Sequence, residues 1–329
     1  MSDRSYVISN SQVKRHMTPM DVIEIVEQSW KWYGEGQIIM PSKVTTDMTP
    51  AGVPGWFNSM PSYIAPLQVA GIKLVGGYAE NPKHGKPYIK ANLMLTDPES
   101  GDLRAVMCGD WISDYRTGAQ AAVAAKYLAA RTDALTIIGA GNQAFYCLDC
   151  MRRILDIKEV RVCDISAAAR ERFIARFPDA PFRLVSCETN EVGCRGADMI
   201  ITITTANAAL VEDPWVKPGA LVMTMGSFTE TSADLVLNAD KLMLDHIGQG
   251  LHRGNLKEMA AKGLVTEASI GAVLPDVVCG KATGREHPDQ RIVIELVGMG
   301  CLDLAVAATA YARILASGEK VVSVDMENG

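Results

Sequence analysis

Several hallmarks of membrane, nucleic-acid and secreted proteins are missing from this chain. No apolar run in its 329 residues reaches the length of a membrane-spanning helix. There is no basic stripe and no zinc-finger spacing. The formal net charge of −6 is spread without long single-sign runs, which argues against nucleic acid as a partner. The stretch MSDRSYVISNSQVKRHM is polar and charged throughout and has no signal-peptide core. Internal repeats and low-complexity tracts are absent as well. Hydrophobic residues make up 48% of the chain, so a folded protein is expected rather than a disordered one, and the lack of a membrane span or signal core makes the expected compartment the cytoplasm.

Metal chemistry is not expected either. The five histidines, His16, His84, His246, His252 and His287, stand in no ligand spacing. Cys147 and Cys150 form a C-x-x-C with no second pair or nearby histidine to complete a site. They read as two small apolar residues one turn apart on a helix. The eight cysteines together fit mostly reduced, buried thiols.

What is present points to an α/β protein of one large or two ordinary domains. A first helix is predicted from Thr18 to Tyr33, with Thr18 as N-cap, Pro19 at the first helical position and Asp21 in the first turn. Val22, Ile25, Val26 and Ser29 mark its buried face. From Ile38 to Gly109 short strands follow, with DPESGD as a hairpin turn, so a mixed or antiparallel sheet is expected. An alanine-rich helix is predicted over Thr117–Ala129, able to pack closely on a neighbour or a cofactor. From Leu135 onward apolar strands alternate with helices, the pattern of a parallel sheet covered on both faces. A last helix is predicted over Cys301–Ser317.

The segment LTIIGAGNQA places Gly139, Gly141 and Ala144 in a G-x-G-x-x-A pattern, directly after a strand and opening a helix. Gly139 permits the tight turn, Gly141 lets the backbone approach a pyrophosphate, and Ala144 keeps helix and strand close. The helix start offers N–H groups and partial positive charge to the phosphates. Asp164 closes the next strand, where a carboxylate accepts from ribose hydroxyls and repels a 2′-phosphate. NAD(H) is therefore favoured over NADP(H), with Arg161 and Arg170 as the residues that keep NADP(H) open. Thr204 and Thr205 follow a parallel strand, where the crevice of a doubly wound sheet opens.

Six motifs in combination resemble the ornithine cyclodeaminase/μ-crystallin family. They are MPSY at Met60–Tyr63, GIK at Gly71–Lys73, LMLTDPESGDLRAV, DYRTGAQAAVAAKYLA at Asp114–Ala129, IIGAGNQA at Ile137–Ala144 and VGMGCLDLAVA at Val297–Ala307. The resemblance covers nearly the whole chain. It implies a Rossmann dinucleotide-binding domain inserted into a mixed-sheet substrate and dimerisation domain. Residues 1–116 plus 301–329 would form the substrate and dimerisation domain, and 117–300 the NAD-binding domain. It also implies a homodimer and a small imino or amino acid substrate beside the nicotinamide. The residues expected at the cofactor are Thr117, Gly139, Ala140, Gly141, Asn142, Gln143, Asp164, Thr204, Thr205, Met225, Gly226 and Asp303. Asp303 has a second reading, as a carboxylate satisfying the N–H groups of its own helix start. Those expected at the substrate are Lys43, Lys73, Arg116, Met60 and Phe228.

Lys73 and Arg116 stand at positions where the family holds the substrate carboxylate, and Lys43 stands where it often has an arginine. Arg116 offers a planar fork and Lys73 a compact charge. Lys73 is also a candidate proton donor if Arg116 lowers its pKa; the alternative is a purely electrostatic anchor. The informative departure lies after GALVMTMGS. Ring-closing members resemble Gly-Gly/Ala-Asp there, with the aspartate handling the substrate amine, whereas this chain has Gly226, Ser227 and Phe228. Their acid before the Met-Pro is also not evident, since Asn58 and Ser59 precede Met60. Glu230 and Asp234 are the carboxylates that could substitute from the loop. A phenyl ring cannot deprotonate an attacking amine. The expected activity is thus NAD(H)-dependent reduction of a small α-imino acid, or oxidation of the α-amino acid. Iminosuccinate, the pyruvate–ammonia imine and cyclic ketimines are the concrete substrates. The alternative is a cyclodeaminase-type lyase that recycles NAD internally.

Overall fold

The computed structural model describes residues 4–326. They fall into two compact units: residues up to Arg116 together with those from Met299 onward, and Thr117–Gly298. The first unit holds β1 (Arg4–Ile8), α1 (Asn10–His16), α2 (Pro19–Gly34), β2 (Ile38–Ile39), β3 (Val44–Asp47), β4 (Gly55–Ile64), β5 (Val69–Tyr78), β6 (Ile89–Thr96) and β7 (Leu103–Cys108). Helix α3 (Asp110–Leu128) carries the chain into the second unit. There follow β8 (Ala134–Ile138), α4 (Asn142–Ile154), β9 (Glu159–Cys163), α5 (Ala167–Ile174), β10 (Arg183–Cys187), α6 (Asn190–Cys194), β11 (Met199–Thr202) and β12 (Leu221–Thr224). Next come α7 (Ala233–Leu237), β13 (Lys241–Leu244), α8 (Ile247–Gly250), α9 (Lys257–Ala261), β14 (Ala272–Val273), α10 (Leu274–Val278) and β15 (Ile292–Glu295). Helix α11 (Gly300–Ala316) and β16 (Val322–Asp325) belong to the first unit again. Among the described residues no helix is long and apolar enough to cross a membrane.

In the first unit the strands lie in the order β16-β1-β7-β6-β5-β4-β2, with β3 also on β4. The sheet is mixed, because β1 runs parallel to β7 while the other pairs are antiparallel. Helix α11 packs across β4, β5 and β6, and α2 packs on α11. Two glycines let α11 lie this close. A Cβ on Gly71 would meet the Met94 carbonyl oxygen at 2.1 Å and Leu304 at 2.9 Å, and one on Gly300 would meet Met60 Cβ at 2.8 Å.

Helix α2 begins where its sequence signals place it. Thr18 Oγ1 accepts from Asp21 N, and the Asp21 carboxylate accepts from Thr18 N at 2.7 Å, a reciprocal capping box. Its buried face holds Val22, Ile23, Val26, Ser29 and Trp30, so Ile23 and Trp30 bury more fully than Ile25. Trp30 Nε1 donates to Met299 Sδ at 3.3 Å, tying α2 to the start of α11. Helix α3 departs from expectation: it begins at Asp110, not Thr117. The added turns carry Trp, Ile, Ser, Asp and Tyr, weak helix formers next to alanine. Burial of Trp111 and Ile112 overrides that preference.

The sheet of the second unit has the order β10-β9-β8-β11-β12-β15-β13-β14, and its pairs are parallel throughout. Strands β11, β12 and β15 are buried along their whole length, as a sheet covered on both faces requires. Strand order reverses direction between β8 and β11, and such a switch point opens a crevice at the carboxyl ends of the strands. Strand β15, absent from the sequence reading, inserts between β12 and β13. The fold class is therefore α/β, with a Rossmann-type parallel sheet and a separate mixed sheet.

Candidate functional site

In the first unit the candidate side chains converge on the helix-covered face of the sheet. Met60, Lys73, Leu93, Met107 and Ile8 are register partners in adjacent strands and therefore share a face. Four of the five are apolar, and Lys73 sits among them with 0% exposure. A lone ammonium in such a row would be very costly, so it must be paired. Lys73 Nζ donates to Asp303 Oδ1 at 2.6 Å and to Ser113 Oγ at 2.8 Å. Asp303, also at 0% exposure, forms a second ion pair with Arg116 Nε at 2.9 Å. Ser113 and Arg116 are three apart on α3 and so point the same way, while Asp303 lies in the first turn of α11. Lys43, half-buried just before β3, is close enough to add a like charge to Lys73.

These surroundings bring Lys73 to about pKa 7. Burial is the largest cause, the Arg116 charge adds to it, and Asp303 acts in the opposite direction. The group can therefore hold or release a proton near neutral pH. Ser113 was not anticipated from the sequence, and Asp303 was assigned to the cofactor. The Asp303 carboxylate pairs with both cations, and its pairing with Lys73 joins residues 230 positions apart.

In the second unit the glycine turn has the form a dinucleotide requires. Gly139 adopts φ +104°, and a Cβ there would meet the Ile203 carbonyl oxygen at 2.6 Å, so the turn abuts the loop after β11. Around the Cβ position of Gly141 there is open space, room into which a phosphate could come. Helix α4 starts at Asn142 and Gln143 without a side-chain cap, an arrangement suited to an anion. Asp164 accepts from Ala140 N and Ser166 N, both at 2.9 Å, through different oxygens. A carboxylate has about four acceptor sites, so two remain for ribose hydroxyls. The residues present therefore fit NAD(H).

The two arginines that kept NADP(H) open are engaged elsewhere. Arg170 donates to Ser186 Oγ and to the Asp164 carbonyl. Arg161 donates to Glu159 and to the carbonyls of Gly193 and Arg195.

Thr117 follows Arg116 on α3, and the next residue sets the packing: a Cβ on Gly118 would meet Tyr146 O at 2.2 Å. The alanine-rich helix thus packs on a neighbouring helix, α4. Cys147 and Cys150 are buried, and burial pushes the Cys147 thiol up to about 12, so it is no nucleophile. Thr204 and Thr205 occupy the loop after β11, and Met225, Gly226 and Phe228 the loop after β12. Phe228 is 41% exposed. Asp234 is exposed in the first turn of α7. Glu230 is fully buried. Its carboxylate accepts from Thr204 N, Thr204 Oγ1, Thr202 Oγ1 and Gly226 N at 2.7–2.9 Å.

This architecture has close relatives among known proteins. Residues 4–318 match the model of the ornithine cyclodeaminase/mu-crystallin family. An alanine dehydrogenase of Archaeoglobus fulgidus is 28% identical over 321 residues, covering 96% of this chain and 97% of that one. The structure of an archaeal alanine dehydrogenase dimer with bound NAD superimposes with a TM-score of 0.91 at 26% identity, covering 98% and 99% of the two chains. The Thermococcus litoralis Δ1-pyrroline-2-carboxylate reductase, in complex with NADH and L-proline, gives 0.90 at 27% identity, covering 97% and 100%. With a family model matched over nearly its full length, the chain belongs to the ornithine cyclodeaminase/mu-crystallin family.

Proposed function

We propose that the chain is an NAD(H)-dependent oxidoreductase that reduces a small α-imino acid, or oxidises the matching α-amino acid. The observation that carries this reading is the fully buried Lys73, held by Ser113 and Asp303 beside Arg116 with a pKa of about 7. In this reading residues 1–116 with 301–329 bind substrate and pair subunits, and 117–300 bind NAD(H). The cofactor, when bound, supplies or accepts a hydride at nicotinamide C4.

The chain's own residues do the rest. Arg116 and Lys43 hold the substrate carboxylate, Arg116 through its planar fork. Lys73 Nζ gives a proton to the imine nitrogen as it becomes an amine, and takes one back in the oxidative direction. Asp303 keeps Lys73 and Arg116 in place and partly neutralised. Arg116, Lys43 and Lys73 are cationic groups of the kind that suit an anionic substrate, a dicarboxylic imine such as iminosuccinate among them. The Asp164 carboxylate, with Arg161 and Arg170 engaged elsewhere, supports NAD(H) over NADP(H). The NAD and NADH held by the alanine dehydrogenase and the pyrroline-2-carboxylate reductase support the same reading.

The ring-closing alternative is disfavoured by Phe228 and by Glu230. All four acceptor sites of the Glu230 carboxylate are taken, so it is not available to a distal amine.

A homodimer is part of the proposal. On the sheet face opposite α11, the register partners Val322, Val7, Val106 and Met94 form an apolar row, with Val322 67% and Val7 51% exposed. A second copy packing on this row would cover it.

The test is a screen for NADH oxidation with 2-oxo acids, oxaloacetate and pyruvate included, in the presence of ammonia or methylamine. An ornithine assay for proline runs beside it. Substrate-dependent NADH loss is expected. Proline formed from ornithine with no net change in NADH would defeat the assignment.

A further inference from the structure

Glu230 sits where two crevice loops meet. Its Oε1 accepts from Thr204 N at 2.7 Å and Thr204 Oγ1 at 2.8 Å, in the loop after β11. Its Oε2 accepts from Thr202 Oγ1 and from Gly226 N, both at 2.9 Å, the latter in the loop after β12. One side chain thus holds both loops at the carboxyl ends of neighbouring parallel strands. The fit is tight: a Cβ on Gly226 would lie 2.5 Å from Oε2.

Glu230 is itself held from behind. Its N–H and that of Thr231 both donate to Asn255 Oδ1, at 2.8 and 3.0 Å, and Asn255 Nδ2 donates to Thr231 Oγ1 at 2.7 Å. Asn255 N in turn donates to Glu295 Oε1 at 2.6 Å, at the end of β15. A Cβ on Gly254 would come 1.7 Å from that same oxygen, so residue 254 must be glycine for Glu295 to reach. The Glu295–Asn255–Glu230 chain is buried throughout and joins the ends of β11, β12 and β15. Buried polar groups this fully satisfied rigidify what they connect.

In a doubly wound fold the two halves of the sheet each take half of a dinucleotide, around the switch point. The glycine turn and Asp164 lie in the half built from β8, β9 and β10, while Thr204 and Gly226 lie in the other. We propose that Glu230 is a positioning residue for the nicotinamide half of the cofactor, setting the loops at Thr204 and Gly226 through the Asn255–Glu295 chain. The proposal rests on the NAD(H) reading above. It accounts for a buried carboxylate that the mechanism does not otherwise use.

The test compares two ligands by calorimetry on the full chain and on Glu230→Gln. ADP carries the adenosine and diphosphate but lacks the nicotinamide half. An amide has one acceptor atom where the carboxylate has two, so two of the four donors lose their partner. The Kd for NADH should rise about tenfold or more while that for ADP stays within about twofold. A structural defect spread through the unit would raise both together, and that outcome, or no change in either, overturns the proposal. Thr202→Val removes one buried donor and should give the same pattern at smaller size; an unchanged NADH Kd in a folded Thr202→Val also overturns it. If the unsubstituted protein binds neither ligand, the NAD(H) reading itself falls, and this proposal with it.

Discussion

Replacing Asp303 by asparagine keeps the shape of the buried trio and removes its negative charge. In the native protein Asp303 Oδ1 lies 2.6 Å from Lys73 Nζ, and both side chains are fully shielded from solvent. Unit charges about 4 Å apart at an effective dielectric near 20 attract by about 4 kcal/mol. Each pKa unit corresponds to about 1.4 kcal/mol, so the loss lowers Lys73 by up to about 3 units below its native value. That native value is about 7, set first by burial and then by the Arg116 charge. The neutral form of Lys73 then dominates at neutral pH, and little proton remains to donate. With Lys73 as the proton donor of the proposed mechanism, the rate of imine reduction in the native protein should fall as pH rises through about 7. The oxidative direction should rise over the same interval. In Asp303→Asn the reductive limb should move to lower pH by roughly 1–3 units, with the rate recovering in acid. The assay is kcat/KM for NADH oxidation across the pH range, with NADH binding measured beside it as a control. A limb that superimposes on the native profile would refute the electrostatic account of Lys73.

Three further perturbations follow from the same geometry. Lys73→Met should lower turnover by about 10²- to 10⁴-fold while NADH binding, measured by calorimetry, is retained; loss of NADH binding would place Lys73 outside the assigned role. Gly118→Ala drives a methyl into the Tyr146 carbonyl 2.2 Å away and should cost about 1–3 kcal/mol, read as a lowered Tm. An unchanged Tm would show that α3 and α4 can part without penalty. Asp164→Asn removes the charge that opposes a 2′-phosphate and should narrow the ratio of kcat/KM for NADH over NADPH by about tenfold or more; an unaltered ratio would remove Asp164 from cofactor selection.

Local signals in the chain were legible where the physics is local. Thr18, Pro19 and Asp21 announce the start of α2 because a capping box is made by residues three apart. Gly139 announces the turn between β8 and α4, because only glycine tolerates φ +104° with the Ile203 carbonyl oxygen 2.6 Å from a Cβ. The start of α3 was missed because burial of Trp111 and Ile112 decides it, and burial is a tertiary property. Ser113 gives no signal until β5 is laid beside α3. The pairing of Asp303 with Lys73 and Arg116 gave no signal either, because β5, α3 and α11 must be packed before the three meet. Glu230 could be seen as a loop carboxylate near the crevice, but not that four donors from three positions turn it inward. Strand β15 escaped notice because its place between β12 and β13 is a matter of topology.

The central claim is that the cofactor leaves each cycle oxidised or reduced. The direct measurement is the molar ratio of NADH consumed to amino acid formed, followed by absorbance and by chromatography in the same reaction. A ratio of one, holding at every time point with the 2-oxo acid and amine that turn over, is the result predicted here. Amino acid accumulating while NADH stays constant would contradict it.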